Sequence, residues 1–132
     1  MDKRIAVWNA LQGPVHEFED LKGRCLCRVE QDGQELRLYV THTHYVRFYH
    51  DQACCESVRI EDICGNLQDL VGEPLSEAEQ VRGYNGPDLD HESYTWTFYR
   101  FGTRRGSVTV RWLGTSNGYY GEGVSVEVVG AD

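Results

Sequence analysis

The amino-acid sequence predicts an α+β fold that is mainly antiparallel β, built as two similar half-repeats, each with a short helical turn and about four strands. Three observations predict it. Apolar and polar residues alternate in runs such as Tyr94–Tyr99 and Val108–Trp112, the period of a half-buried strand. β-Branched and aromatic residues dominate these runs, as strands prefer. The pattern D-L-x-G-x-x-L occurs twice, at Asp20–Leu26 and Asp69–Leu75, and two further motifs recur after it in the same order. The length, 132 residues, fits one domain, 1–132, with the repeat spanning approximately 18–64 and 67–129.

Taken in chain order, Ile5–Leu11 reads as a further strand or a short helix. In each half a helical turn ends at the glycine of the shared pattern, Gly23 or Gly72, where a left-handed conformation follows a helix readily. A strand follows, then a hairpin. The hairpins are Glu35–Thr41 with Tyr45–His50, and Tyr94–Phe101 with Ser107–Leu113. The linker Gly102–Gly106 is a hairpin loop by its glycines. Val46-Arg47-Phe48 and Val110-Arg111-Trp112 form the second recurring motif. The third is an acidic-led closing strand, Ser57–Ile63 after Glu56 and Gly123–Val129 after Glu122. Gly83–Glu92 carries turn residues and reads as a surface loop. Trp96 and Phe98 share a face opposite Thr95 and Thr97, and that aromatic face is expected in the core. In the next strand the valines and Trp112 lie opposite Thr109 and Arg111.

Composition narrows the function classes. The chain has 13 basic and 21 acidic residues, a net charge of -8. A general nucleic-acid binder draws its affinity from phosphate neutralisation and carries a basic surplus, so that role is excluded. An acidic surplus favours solubility and steers a protein toward basic partners. No apolar run approaches a membrane span. The five cysteines, Cys25, Cys27, Cys54, Cys55 and Cys64, are odd in number, and no secretory leader opens the sequence. Reduced thiols and a cytoplasmic location are therefore expected.

Three constellations invite chemistry. The first is the pair of loops between the Val-Arg-aromatic motif and the closing strand: His50–Cys55 in one half, Gly114–Tyr120 in the other. In a pseudo-twofold arrangement they occupy equivalent places, so His50, Asp51, Asn117, Tyr119 and Tyr120 are candidates for one site. The second is a nitrogen and sulfur set. His42 and His44 share a strand face, with His50, Cys54 and Cys55 close behind, and zinc favours such ligands. Against a metal stand the absence of any C-x-x-C pair and the loss of these groups from the second half. The same cysteines are candidate nucleophiles, with His50 as base and Asp51 orienting it. Cys25 and Cys27 read as half-buried strand thiols. No phosphate-cradling, dinucleotide-binding or serine-nucleophile motif is present, and no cofactor is expected. The third set is aromatic and cationic: Trp96, Tyr99, Arg111, Trp112, Tyr119 and Tyr120, with Arg47 in the equivalent half. Arginine grips an anion bidentately and aromatic rings stack on a base, which suits a small anionic, nucleotide-like ligand.

Two long runs carry a family resemblance. HDQACCESVRIEDICGNLQDLVG, His50–Gly72, is similar to the signature of a small uncharacterised family found in tailed phages and prophage-bearing bacteria. Tyr94–Tyr99, Arg111-Trp112 and Ser116–Tyr120 resemble its second signature. The likeness runs from about Leu21 to Val126, and Ala53 stands where that pattern usually has an acidic residue. It implies a phage or prophage origin, hence a host cytoplasm, and carries no activity, cofactor or catalytic residue.

The resulting expectation is a non-enzymatic protein that sequesters a small anionic ligand as a counter-defence factor. An alternative is an inhibitor that binds a host defence enzyme through its acidic surface and a sheet edge. A weaker third is a metal- or thiol-dependent enzyme at His50, Cys54 and Cys55. Sheet edges that need covering suggest a homodimer.

Overall fold

The computed structural model describes Val15 and residues 17–52, 56–87, 93–116 and 123–130, without the side chains of 82–87 and 93. The predicted helical turns are single 3-10 turns, Phe18–Leu21 and Leu67–Leu70. Four residues are too few to sustain an α-helical ladder, so the described chain is mainly antiparallel β with two lone turns. The strands are β1 (Arg28–Asp32), β2 (Glu35–Tyr39), β3 (Tyr45–Tyr49), β4 (Glu56–Cys64), β5 (Glu77–Pro87), β6 (Ser93–Thr103), β7 (Gly106–Ser116) and β8 (Ser125–Val129).

One sheet has the order β1-β2-β3-β8 and the other β4-β7-β6-β5. Each is a three-stranded meander completed by a strand from elsewhere in the chain. The predicted halves are therefore not separate sheets: β4 pairs with β7, and β8 with β3. Alternation shows that a segment is a strand but not which neighbour it pairs with, so this crossing is invisible in the pattern.

Around the two turns the backbone makes a reciprocal exchange. The Gly23 N–H donates to the Leu75 carbonyl at 2.7 Å, and the Gly72 N–H to the Leu26 carbonyl at 2.9 Å. Both glycines have φ of 89°, where a side chain is strained. Leu21, Leu26, Leu70 and Leu75 beside them are fully buried. The inner faces of the two sheets meet in one core, with Leu36, Leu38, Val46 and Phe48 against Tyr99, Phe101, Val110 and Trp112. Phe18 of the first turn stands edge-on to Phe48, Tyr99 and Phe101, 5.4 to 5.8 Å between ring centres.

Three expectations are corrected. The β6–β7 hairpin is longer than predicted, with only Arg104-Arg105 at its tip. Gly83–Pro87 is strand, accommodated by a register shift between Arg82 and Asn85; 88–92 and Ile5–Leu11 lie outside the described residues. Most consequential, the face of β6 is inverted. Thr95, Thr97, Tyr99 and Phe101 are buried, whereas Trp96 and Phe98 are half-buried on the outside. Each face of β6 carries large aromatics, and β7 decides between them. Val108, Val110 and Trp112 stand opposite Phe101, Tyr99 and Thr97, so that side offers the larger apolar surface to bury. Among the described residues, no helix is long and apolar enough to cross a membrane.

Candidate functional site

β6 and β7 are the central strands of their sheet, so their outward side chains occupy the middle of its outer face. Trp96 and Phe98, two residues apart on β6, hold their rings within 7° of parallel with 6.2 Å between centres. Leu113 lies across from Trp96, and Arg111 and Val81 flank Phe98 on either side. All five are half-buried. The Arg111 guanidinium carbon is 5.3 Å from the centre of the Trp96 ring. Its Nε and Nη2 donate to the two Asp62 oxygens at 2.6 and 2.8 Å. A bulge in β4 between Ile60 and Asp62 sets Asp62 opposite Arg111. Arg59–Glu61 at 3.0 Å and Arg100–Glu79 at 3.5 Å add to the rim. The face thus has an apolar, aromatic centre, and every described arginine around it holds a carboxylate.

Arg47 lies on the outer face of the other sheet. Its Nε donates to Glu35 at 2.9 Å and its Nη1 to Glu127 at 2.8 Å, and the guanidinium carbon sits 3.6 Å over the Tyr49 ring. Arg37 shares Glu35 through its own Nε. Burial alone would raise the Glu35 carboxyl, but the hydrogen bonds and charges of Arg37 and Arg47 outweigh it and hold it below its ordinary value. A carboxyl depressed by folding stabilises above its unfolded value, about 4.3, and loses that contribution as pH falls through the folded value. Glu35→Gln should therefore flatten the acid side of a stability-against-pH curve below about pH 4, measured by urea unfolding; an unchanged acid side would rule this out.

The flanks of the two predicted loops do meet. Glu56 pairs with Ser116 in register, and His50 Nδ1 lies 2.9 Å from the Gly123 carbonyl. His50 Nε2 is 3.0 Å from Glu56 Oε1, with the two side chains only 11% and 5% exposed. A carbonyl only accepts, so Nδ1 donates to Gly123, and Nε2 faces the Glu56 carboxyl. With both ring nitrogens engaged, His50 is a clamp across the loop flanks rather than a free base. Asp51 is exposed. Cys54, Cys55, Asn117, Tyr119 and Tyr120 lie outside the described residues.

Of the nitrogen ligand candidates, His42 and His44 are not brought to His50. His42 and His44 lie in the turn before β3 and His50 follows its end, which separates them by roughly 17 Å along five extended residues. Among the described residues, no three His, Cys, Asp or Glu side chains gather as metal ligands. Tyr99 is fully buried in the core and is removed from the ligand set. Cys25 is buried and Cys64 exposed; burial, then the nearby Glu73 charge, pushes the Cys25 thiol up. Iodoacetamide at neutral pH should label Cys64 well before Cys25, because only the thiolate reacts; peptide mapping that finds Cys25 modified first would contradict this.

Three positioning residues were missed. Gln52 pairs its amide with both backbone groups of Val58, at 2.7 and 3.1 Å, Gln34 accepts from the Ile60 N–H at 2.6 Å, and Glu56 closes the His50 clamp. Only Glu56 carried a signal, as the acidic start of its strand. A family model described as a domain of unknown function (DUF7448) matches residues 19–126. No curated protein and no solved structure matches the chain.

Proposed function

The chain belongs to the DUF7448 family, and from that premise we propose that it is a non-catalytic protein-recognition module whose contact surface is the outer face of the β4-β7-β6-β5 sheet. One observation carries this reading: the Trp96, Phe98 and Leu113 centre faces outward inside a rim of paired charges. Tryptophan and arginine at the middle of a patch, with polar groups around it, are the composition of binding hot spots. The phage or prophage origin implied by the motif resemblance makes a host protein the natural partner, and inhibition of a defence enzyme the natural effect. The recurring motifs and the reciprocal glycine contacts fit an internal duplication whose closing strands crossed between sheets.

The rival reading, capture of a small anion, has less support. Asp62 already occupies the bidentate edge of Arg111, and Glu35 and Glu127 hold Arg47, so an incoming anion has to displace a carboxylate. The test is capture from host extract with cross-linking, compared between the native sequence, Trp96→Ala/Phe98→Ala, and Asp32→Ala on the opposite face. The proposal expects one cross-linked protein, mapped to β6 and β7, lost only with the double variant. Native mass spectrometry that finds a small anion released on Arg111→Ala would favour the rival instead.

A further inference from the structure

β8 closes one side of its sheet and pairs with β3 alone. No described residue hydrogen-bonds to its backbone on the other side. The contrast with β4, the closing strand of the other sheet, is sharp: there Gln52 and Gln34 cover the backbone of Val58 and Ile60. An uncovered edge is a template for another strand. Val126 and Val128 of β8 stand opposite the buried Phe48 and Val46, yet Val126 is 39% exposed. Beside it lies an open groove of about 470 Å³ lined by Glu17, Phe18, Glu19, Gln80, Val126 and Val128.

We infer that the β8 edge and this groove form a strand-addition site for an extended segment of a partner protein that alternates apolar and basic residues. The open backbone supplies ladder hydrogen bonds. Val126 and Val128 receive the apolar side chains. Glu17 and Glu19, both exposed and in no described ion pair, receive the basic ones. The occupant is not a second copy, because that would bring another acidic groove against this one in a chain of net charge -8. The site is separate from the aromatic face and rests on different observations.

The test uses the full chain and a labelled peptide of about eight alternating Val and Lys residues, with fluorescence anisotropy at physiological salt and hydrogen exchange of the β8 amides. The expected result is binding with slowed exchange at Val126–Val128. Glu17→Lys/Glu19→Lys and Val126→Asp should each weaken it at least about tenfold, and a peptide N-methylated at alternate residues should not bind. Asp32→Lys/Glu73→Lys, away from β8 and in neither proposed surface, should change affinity less than about twofold. Equal weakening by that remote pair, unprotected β8 amides, or no binding by a folded protein would overturn the inference. So would a homodimer that Val126→Asp dissolves.

Discussion

His50→Ala is expected to destabilise the fold by about 3 kcal/mol, since it removes at once the ring that hydrogen-bonds the buried Glu56 carboxyl and the Gly123 carbonyl. His50 is only 11% exposed and Glu56 5%, so water does not readily replace the lost ring. The change also frees the Gly123 carbonyl from its 2.9 Å contact, loosening β8 from the flank of β4. In urea unfolding the midpoint should fall with little change in slope, and the melting temperature should drop by roughly 10 °C. Glu56→Gln keeps the shape and can still hydrogen-bond the ring, so its cost should be nearer 1 kcal/mol. A His50→Ala protein as stable as the native one would show that the clamp contributes nothing.

Trp112→Ala should cost about 4 kcal/mol, against about 1 kcal/mol for Trp96→Ala, when both are measured by the same unfolding experiment. Trp112 is fully buried at the centre of the common core, where a cavity is left behind. Trp96 is half-buried on the outer face, so truncation there returns surface that water already reaches. The two residues are of one type on paired strands of one sheet, so the difference in cost reports which face is inside. Equal costs would contradict the assignment of faces on which the recognition surface depends.

This pair also marks how much was legible beforehand. The strands themselves were, because period-two alternation is a local property of the chain. The glycine turns were legible too, since Gly23 and Gly72 follow the same leucine in the same pattern. The burial of the β7 face was unambiguous, with Val108, Val110 and Trp112 against Thr109 and Arg111. The face of β6 was not, because aromatics occur on both sides of Tyr94–Phe101 and only the register with β7 ranks them.

The candidate site was legible in part for the same reason. Arg47 and Arg111 were recognised as candidate anion grips, but their carboxylate partners come from strands distant in sequence: Glu127 from β8, and Asp62 from a bulged β4. His50 was singled out as a base, and only the approach of Gly123 and Glu56 made it a clamp. The sequence by itself determined the strand content, the turns and the acidic balance, all fixed by local propensity and side-chain period. The tertiary structure alone decided which strands exchange between sheets, which aromatics face outward, and which charges cancel, because each depends on a partner many residues away that no local pattern specifies.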